Sequence, residues 1–462
     1  MQGGSSLNAR GDVTLISRGD RMSAQRLNIL LDPDTQEVTL LRFRSQVRGQ
    51  LVSWKAGQVS GKAAAGALAL RGTSLTLRFD AVSGEPTEFE LHGLRRRPAL
   101  VRQVQPNGRV SSLSVGAMTS TLIGGALTQA QLSGPVEIVE RSAGGEQRKA
   151  QALDGEVRFD PDTGDISGLT LVGEVVIEDE EILAWGDRAY LTANGEDLEI
   201  LGSPCRIEHS RGELESPRAV FRKSAGVLRA EEGVTTTLRA GNDASGLRLG
   251  AGGGDEPVHV QSEEAIWHTA DEQVVFTRSV RAWQGTNTLF ADQLRGEPHA
   301  GRMSASGNVR TLWQPPEEED GNAEVDEDPE PTGPMNITSD EMTYREGDGE
   351  LIYTGSVHAE QAWTSLRCET LRVLLDEEGE TRELYCEEAV RIDDTRNGRI
   401  LEGDEAVYDP STLMVQVYGN PLKMTDREGG KVEGGRHFIY DLENGKLRLS
   451  SKERGASEVA TP

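Results

Sequence analysis

Metal binding, nucleophilic attack and phosphate cradling each require particular side chains at fixed spacings, and the chain offers raw material for all three. Histidines stand at His92, His209, His259, His268, His299, His358 and His437. None sits in the close pair that a metal site uses. Cys205, Cys368 and Cys386 lack the Cys-x-x-Cys spacing of a metal or redox motif. Gly429-Gly430-Lys431 has neither the upstream glycine nor the following Ser/Thr of a phosphate loop, and the glycine-rich run at 250–254 does not match a dinucleotide fingerprint. No Gly-x-Ser-x-Gly elbow occurs. Carboxylates are so abundant that neighbours such as Glu180-Glu181 and Glu387-Glu388 read as solvated strand edges. Asn336-Ile337-Thr338 fits a glycosylation acceptor only formally. The expectation is a protein that is no enzyme and takes no metal and no cofactor.

What remains is the framework, and it repeats. A large apolar residue followed by Asp-Pro-(Asp/Ser)-Thr occurs as Leu31-Asp32-Pro33-Asp34-Thr35, Phe159-Asp160-Pro161-Asp162-Thr163 and Tyr408-Asp409-Pro410-Ser411-Thr412. Pro after Asp pre-sets a bend, and the Asp carboxylate accepts local backbone donors. Aromatics recur at Phe159, Tyr190 and Phe221 and again at Tyr408 and Tyr440, steps of 31 and 32 residues. A period of that size marks stacked units that cannot bury an apolar face alone. Between turns the apolar residues alternate, as in Leu371-Arg372-Val373-Leu374-Leu375 and Leu413-Met414-Val415-Gln416-Val417. Such alternation predicts antiparallel strands with one buried and one wet face. The fold class expected is all-β, an elongated stack of antiparallel strands, with no convincing helix.

Composition agrees. Only 36% of the 462 residues are hydrophobic and 53 are glycine, which suits a thin structure rather than a thick multilayer core. The net charge is −27, unevenly spread. Residues 1–110 hold 16 Lys/Arg against 9 Asp/Glu, an excess of +7, so the remainder carries −34. So acidic a body excludes nucleic acid as the main partner. The basic end, including Arg95-Arg96-Arg97, reads either as a solvated face or as a contact for phosphates or an anionic surface.

Five segments are expected: a diverged repeat region over 1–140, a repeat array over 148–313, an acidic Pro-rich linker over 314–335, a C-terminal array over 336–450 and a disordered tail over 451–462. A flexible loop is expected at 241–256. Cys368 and Cys386 are equidistant from Glu377, so they either face each other across a hairpin or stay as separate buried thiols. The longest apolar stretch, at 63–70, is too short to span a membrane. The chain opens on what reads as a repeat already under way, so residues upstream are expected, and the want of a leader is weak evidence for the cytoplasm.

The C-terminal array resembles the OstA-like (LptA/LptC-type) periplasmic lipopolysaccharide-transport family. The resemblance rests on Ile337-Thr-Ser-Asp340-Glu-Met-Thr-Tyr344, Leu351-Ile-Tyr-Thr-Gly355-Ser-Val357, Leu366-Arg-Cys-Glu-Thr-Leu371-Arg-Val373 and Ile400-Leu-Glu-Gly403-Asp404-Glu-Ala-Val-Tyr408. The shared pattern is an apolar residue, (Ser/Gly)-Asp, an aromatic four residues later, then Gly-x-Val. It recurs more loosely around Trp185-Gly186-Asp187 and Gly19-Asp20. The resemblance implies a twisted open β-jellyroll that passes lipopolysaccharide across the periplasm, with acyl chains inside. It also implies partnership with other Lpt-type proteins by edge-strand addition, including an inner-membrane ABC transporter complex and an outer-membrane translocon. The inward set expected to line such a groove is Met342, Tyr344, Tyr353, Val357, Leu371, Val373, Val390, Ile392, Tyr408, Val415, Val417, Leu422, Met424, Phe438, Tyr440, Leu447 and Leu449. Alternation alone is required equally by a groove and by a dry core. A parallel β-helix acting on polysaccharide and a structural adhesin remain as alternatives.

Overall fold

The computed structural model describes residues 5–17, 20–51, 68–104, 108–123, 126–160, 166–192, 197–210, 212–239, 249, 256–314, 333–376 and 381–450. The run at 250–254, most of the acidic stretch, the Asp-Pro turn at 161–163, the turn at 377–380 and the tail after 450 lie outside them. Contacts divide the chain into two compact units, Met1–Leu228 and Arg229–Pro462.

Unit 1 contains β1 (Ser6–Ser17), β2 (Asp20–Leu31), β3 (Val38–Leu51), β4 (Leu68–Phe79), β5 (Pro86–His92), β6 (Ala99–Val104), β7 (Val110–Val115) and β8 (Ala117–Ile123). It continues with β9 (Ala126–Ser133), β10 (Val136–Arg141), β11 (Gln147–Ala152), β12 (Asp154–Phe159), β13 (Ile166–Glu178), β14 (Ile182–Thr192), β15 (Asp197–His209) and β16 (Gly212–Arg222). Unit 2 contains β17 (Val227–Leu238), β18 (Val258–His268), β19 (Gln273–Gln284), β20 (Asn287–Glu297), β21 (Arg302–Trp313), β22 (Met335–Arg345), β23 (Glu350–Gln361) and β24 (Thr364–Leu375). It ends with β25 (Thr381–Asp394), β26 (Arg399–Asp409), β27 (Met414–Tyr418), β28 (Lys423–Asp426), β29 (Lys431–Glu433), β30 (His437–Asp441) and β31 (Lys446–Ser450). The protein is all-β, as the alternation predicts. Among the described residues the only helical elements are single 3-10 turns.

In each unit the long strands pair antiparallel with their sequence neighbours, and each bends near its middle. Thr338 opposes His358 while Glu341 opposes Thr354, so β23 spends one more residue than β22 at the bend. The same shift recurs between β19 and β20 and between β20 and β21. Extra residues of this kind are β-bulges, which sharpen a strand into a corner. Two consecutive left-handed residues make the corner in alternate strands: Gly173/Glu174, Arg278/Ser279, Gly307/Asn308, Gly355/Ser356 and Glu388/Ala389. The bend folds every long strand into two walls that share one corner.

The short motifs of the sequence are the chemistry of that corner. In intervening strands the Ser216, Ser262 and Ser339 hydroxyls each donate 2.9 Å to the carbonyl two residues on, occupying an acceptor that the bend takes out of the ladder. Where Gly replaces Ser there is no room: a Cβ at Gly403 would lie 2.6 Å from Val417 Cγ1. The Asp that follows sits against the left-handed glycine of the next strand. A Cβ at Gly307 would lie 2.5 Å from Asp292 Oδ2, and one at Gly355 would run into the Asp340 carboxylate.

At two places a long strand is continued by two separate short ones. β4 pairs with β5 over one half and with β6 over the other, and the halves rejoin on β13, which pairs with both β12 and β11. β26 splits likewise onto β27 and β28. The Asp-Pro turns at Asp32 and Asp409 lie where the sequence places them. Asp32 Oδ1 accepts from the Asp34 and Thr35 amides at 2.9 Å, and Asp409 Oδ1 from the Ser411 amide at 2.9 Å. Asp80 performs the same function without a proline, accepting from Val82 and Ser83. These donors hold the Asp32 and Asp80 carboxyls below the usual range.

One reading of the sequence changes. Tyr190 does not share a face with Phe221: Ala189 points inward and Tyr190 outward, where its hydroxyl accepts from Arg188 at 3.1 Å. The period measures a two-strand step of the stack rather than a repeated aromatic anchor. Within the expected loop at 241–256, Leu249 is buried and its amide donates to Gln284 Oε1 at 3.0 Å. Cys368 and Cys386 are free and buried. They do not oppose each other in register, because the hairpin is not centred on Glu377: Cys386 pairs with Leu371, and the partner of Cys368 on β23 is Val357. Contact with Cys368, together with burial, pushes the Cys386 thiol well up.

Gly355→Ala should cost about 1–3 kcal/mol, because an L side chain is strained at φ +81° and meets Asp340. Thermal melts of the wild type and of Gly347→Ala, which has open space around it, provide the comparison. Equal melting temperatures would remove the corner from the account.

Candidate functional site

The register turns alternation into continuous rows. In unit 2 one row runs Ala265, Phe276, Leu294, Ala305, Met342, Tyr353, Leu371, Cys386, Ala406, Val417, Phe438 and Leu449, each directly opposite the next. A second row two residues away includes Tyr344, Leu351, Val373, Leu384, Tyr408, Val415, Tyr440 and Leu447. The facing wall carries Ile337, Ala359, Leu366, Ile392, Leu401, Met424 and Val432. Unit 1 repeats the arrangement with Leu27, Phe43, Leu75, Leu91, Met118 and Leu132 on one wall.

Fourteen of the seventeen residues expected to line the interior are buried: Met342, Tyr344, Tyr353, Val357, Leu371, Val373, Val390, Ile392, Val415, Val417, Leu422, Met424, Phe438 and Tyr440. Tyr408 and Leu447 are half-buried. Leu449 is 59% exposed although it lies opposite Phe438, because β31 pairs on one side only, with β30. Two buried phenols find partners: Tyr353 Oη donates to Thr311 Oγ1 at 3.2 Å and Tyr440 Oη to Asp394 Oδ2 at 2.6 Å. Burial raises both.

The two walls of unit 2 close on each other except at their open margin, opposite the corner. There a cavity of about 60 Å³ is lined by Ala359, Leu366, Ile392, Leu384, Cys386, Ala406, Tyr408 and Val415, with Trp363, Leu413 and Leu442 among its margin residues. Of the expected lining only Ile392, Tyr408 and Val415 reach it. The others follow from the same alternation, and the small side chains of Ala359 and Ala406 face the space from opposite walls. Burial, and the Asp409 charge second, push the Tyr408 phenol up to about 12.

Unit 1 opens at the equivalent margin into a larger cleft of about 300 Å³. Leu169, Leu198 and Phe221 line one wall, and Ile138, Ala150 and Ile177 the other. Its rim is charged. Arg148 and Lys223 converge on Asp179 at 3.1 and 3.3 Å, and Arg109 pairs with Glu140. Composition gave no signal for this cleft, since the halves of its lining lie far apart in sequence. Among the described residues no group of three or more His, Cys, Asp or Glu is placed to hold a metal ion.

Bent antiparallel strands stacked into two walls around an apolar interior define a β-jellyroll class of protein. Residues 336–446, from β22 to the start of β31, match the family model described as LptA/(LptD N-terminal domain) LPS transport protein. This segment is therefore of the Lpt-type, OstA-like family whose motifs the sequence carries. Twelve solved chains match, among them the crystal structure of LptH, the LptA homologous periplasmic component of the conserved lipopolysaccharide transport device from Pseudomonas aeruginosa. That match is 12% identical and covers 36% of this chain and 95% of that one, with a TM-score of 0.20. No curated protein matches.

Raising the Tyr408 pKa stabilises the fold fully below the phenol's ordinary value of 10.0, and that contribution is lost as pH rises towards about 12. Tyr408→Phe should therefore shift the midpoint of alkaline unfolding upward. An unchanged midpoint, followed by circular dichroism, would place the phenol in water.

Proposed function

We propose that the chain is a non-enzymatic carrier of lipopolysaccharide, or of a related glycolipid, in the periplasm, and that the acyl chains travel along the inner faces of its strand walls. The observation that carries this reading is the unbroken apolar row through the family-matched segment, with a cavity beside it at Cys386 and Ala406. Each methylene kept from water is worth about 0.8 kcal/mol, so a sheltered path removes the main barrier to moving a lipid without any chemistry. The cavity is smaller than an acyl chain, so entry at Trp363, Leu413 and Tyr408 requires the two walls to part. At the margin the walls are held by side-chain packing and by a few hydrogen bonds, from Tyr440 Oη to Asp394, from Asn397 to the Leu442 carbonyl and from Arg399 to the Gly445 carbonyl, whereas at the corner they are one continuous backbone. The larger cleft of unit 1, with its charged rim, suits the same class of amphiphile.

Successive strands offer near-equivalent apolar surroundings, so the path itself supplies no direction. Direction comes from a nucleotide-hydrolysing partner, an inner-membrane ABC transporter complex, with an outer-membrane translocon at the far end. Other Lpt-type jellyrolls join by strand addition, for which β31, paired among the described residues with β30 alone and exposing Leu449, is suited. Each described strand pairing is antiparallel, which disfavours a parallel β-helix; a dry structural polymer is the remaining rival.

A photo-crosslinking residue in place of Tyr408 should give lipopolysaccharide adducts, while the same residue at Gln416, on the opposite face of β27, should not. Protein-only adducts at Tyr408 would support the dry polymer. Val415→Asp should weaken glycolipid binding at least about tenfold and Gln416→Asp by little, since only Val415 faces the interior. Equal losses, in variants whose fold is verified by circular dichroism, would reject the face assignment.

A further inference from the structure

The outer face of β1–β4 carries arginines that the transport reading does not use. Arg10, Arg26 and Arg44 are direct cross-strand partners, three guanidinium groups in one row. On the other side of the bend Arg48 lies directly opposite Arg71. All five are exposed. Like charges opposite each other on neighbouring strands, less than about 5 Å apart, destabilise a sheet. Among the described residues none of the five has a carboxylate partner.

Elsewhere many outward arginines are neutralised by carboxylates, and where two oppose each other, Arg302 with Arg345 and Arg367 with Arg391, at least one of the two has a carboxylate partner. Arg218 meets Glu199 at 2.7 Å, Arg372 meets Glu350 at 2.7 Å and Arg391 meets Glu402 at 2.7 Å. The unpaired rows thus stand out from the pattern of the rest of the chain. They flank the corner at Ser45/Gln46, and the first row continues through Ser74 to His92. Just beyond His92 lies a tight turn in which the Leu94 and Arg97 amides and carbonyls exchange 2.8 Å bonds. This turn presents Leu94, 60% exposed, beside the exposed Arg95 and Arg96.

We propose that this ridge is a docking surface for a membrane with anionic phospholipid headgroups. A convex, extended field of guanidinium groups has no pocket to enclose one small anion, but it matches a plane of many phosphates. Juxtaposed basic residues attract such a surface additively, and an exposed leucine beside them enters the headgroup region at little cost. The residues after 110 carry −34, which the same surface repels, so the ridge faces the bilayer.

The test uses the full chain and sedimentation with vesicles, either pure phosphatidylcholine or two parts phosphatidylcholine to one part phosphatidylglycerol. Binding is expected to the anionic vesicles only, and to fall steeply with salt. Arg26→Ala, Arg44→Ala, Arg48→Ala and Arg71→Ala combined should weaken it at least about tenfold. Loss of four charges at Arg295, Arg302, Arg310 and Arg391 should change it by less than about twofold. The ridge variant should melt no lower than the wild type, since its loss relieves repulsion. Equal binding to neutral vesicles, equal losses in the two variants, or preference for soluble polyphosphate over anionic vesicles would each overturn the proposal.

Discussion

Everything in both units depends on the mid-strand corner. A straight strand alternating apolar and polar residues builds a flat sheet with one greasy face exposed to water. Bending each strand at the same level turns that face on itself, and two walls then cover each other. The bend requires consecutive left-handed residues in alternate strands, and it displaces backbone groups from the ladder. Ser339 returns a donor to one such carbonyl, and Asp340 fills the volume above Gly355. The corner is thus held by a few small polar residues, while the stability of the walls comes from burial that the corner makes possible.

That division explains where the structure can open. At the corner the walls are continuous backbone, and separating them would break strands. At the opposite margin they meet mainly through side chains such as Leu366, Tyr408 and Leu413 around the cavity, with a few hydrogen bonds such as Tyr440 to Asp394 beside them. Nonpolar packing is non-directional and can be exchanged for another apolar surface at small net cost. An interior that is dry and packed in the isolated chain is therefore compatible with a carrier whose cargo is itself apolar.

Electrostatics separates the outer faces in the same way that packing separates the margins. Over most of the chain cross-strand Arg–carboxylate pairs neutralise the exposed faces, as Arg372 does with Glu350, whose acceptor role raises the guanidinium pKa further. Such pairs contribute little individually to stability, and the carboxylates in excess of them leave the residues after 110 strongly negative. The rows on β1–β4 do the reverse, at a cost in repulsion that the fold tolerates.

The sequence by itself determined the strand class, the antiparallel habit and the position of the Asp-Pro turns, because alternation and turn chemistry act within a few residues. It also identified the inward set: Met342, Tyr353, Leu371, Val417 and Phe438 fall in one row as their parity requires. Tertiary structure decided what parity cannot reach. The register of each hairpin is set by the folded sheet, so the Cys368–Cys386 relation and the outward face of Tyr190 could not be counted from turn positions. The cavity depends on Ala359 and Ala406 arriving at one margin from different walls, and the arginine rows depend on which strands become neighbours. Local spacing fixes which face a residue takes; only the folded register fixes what stands opposite it.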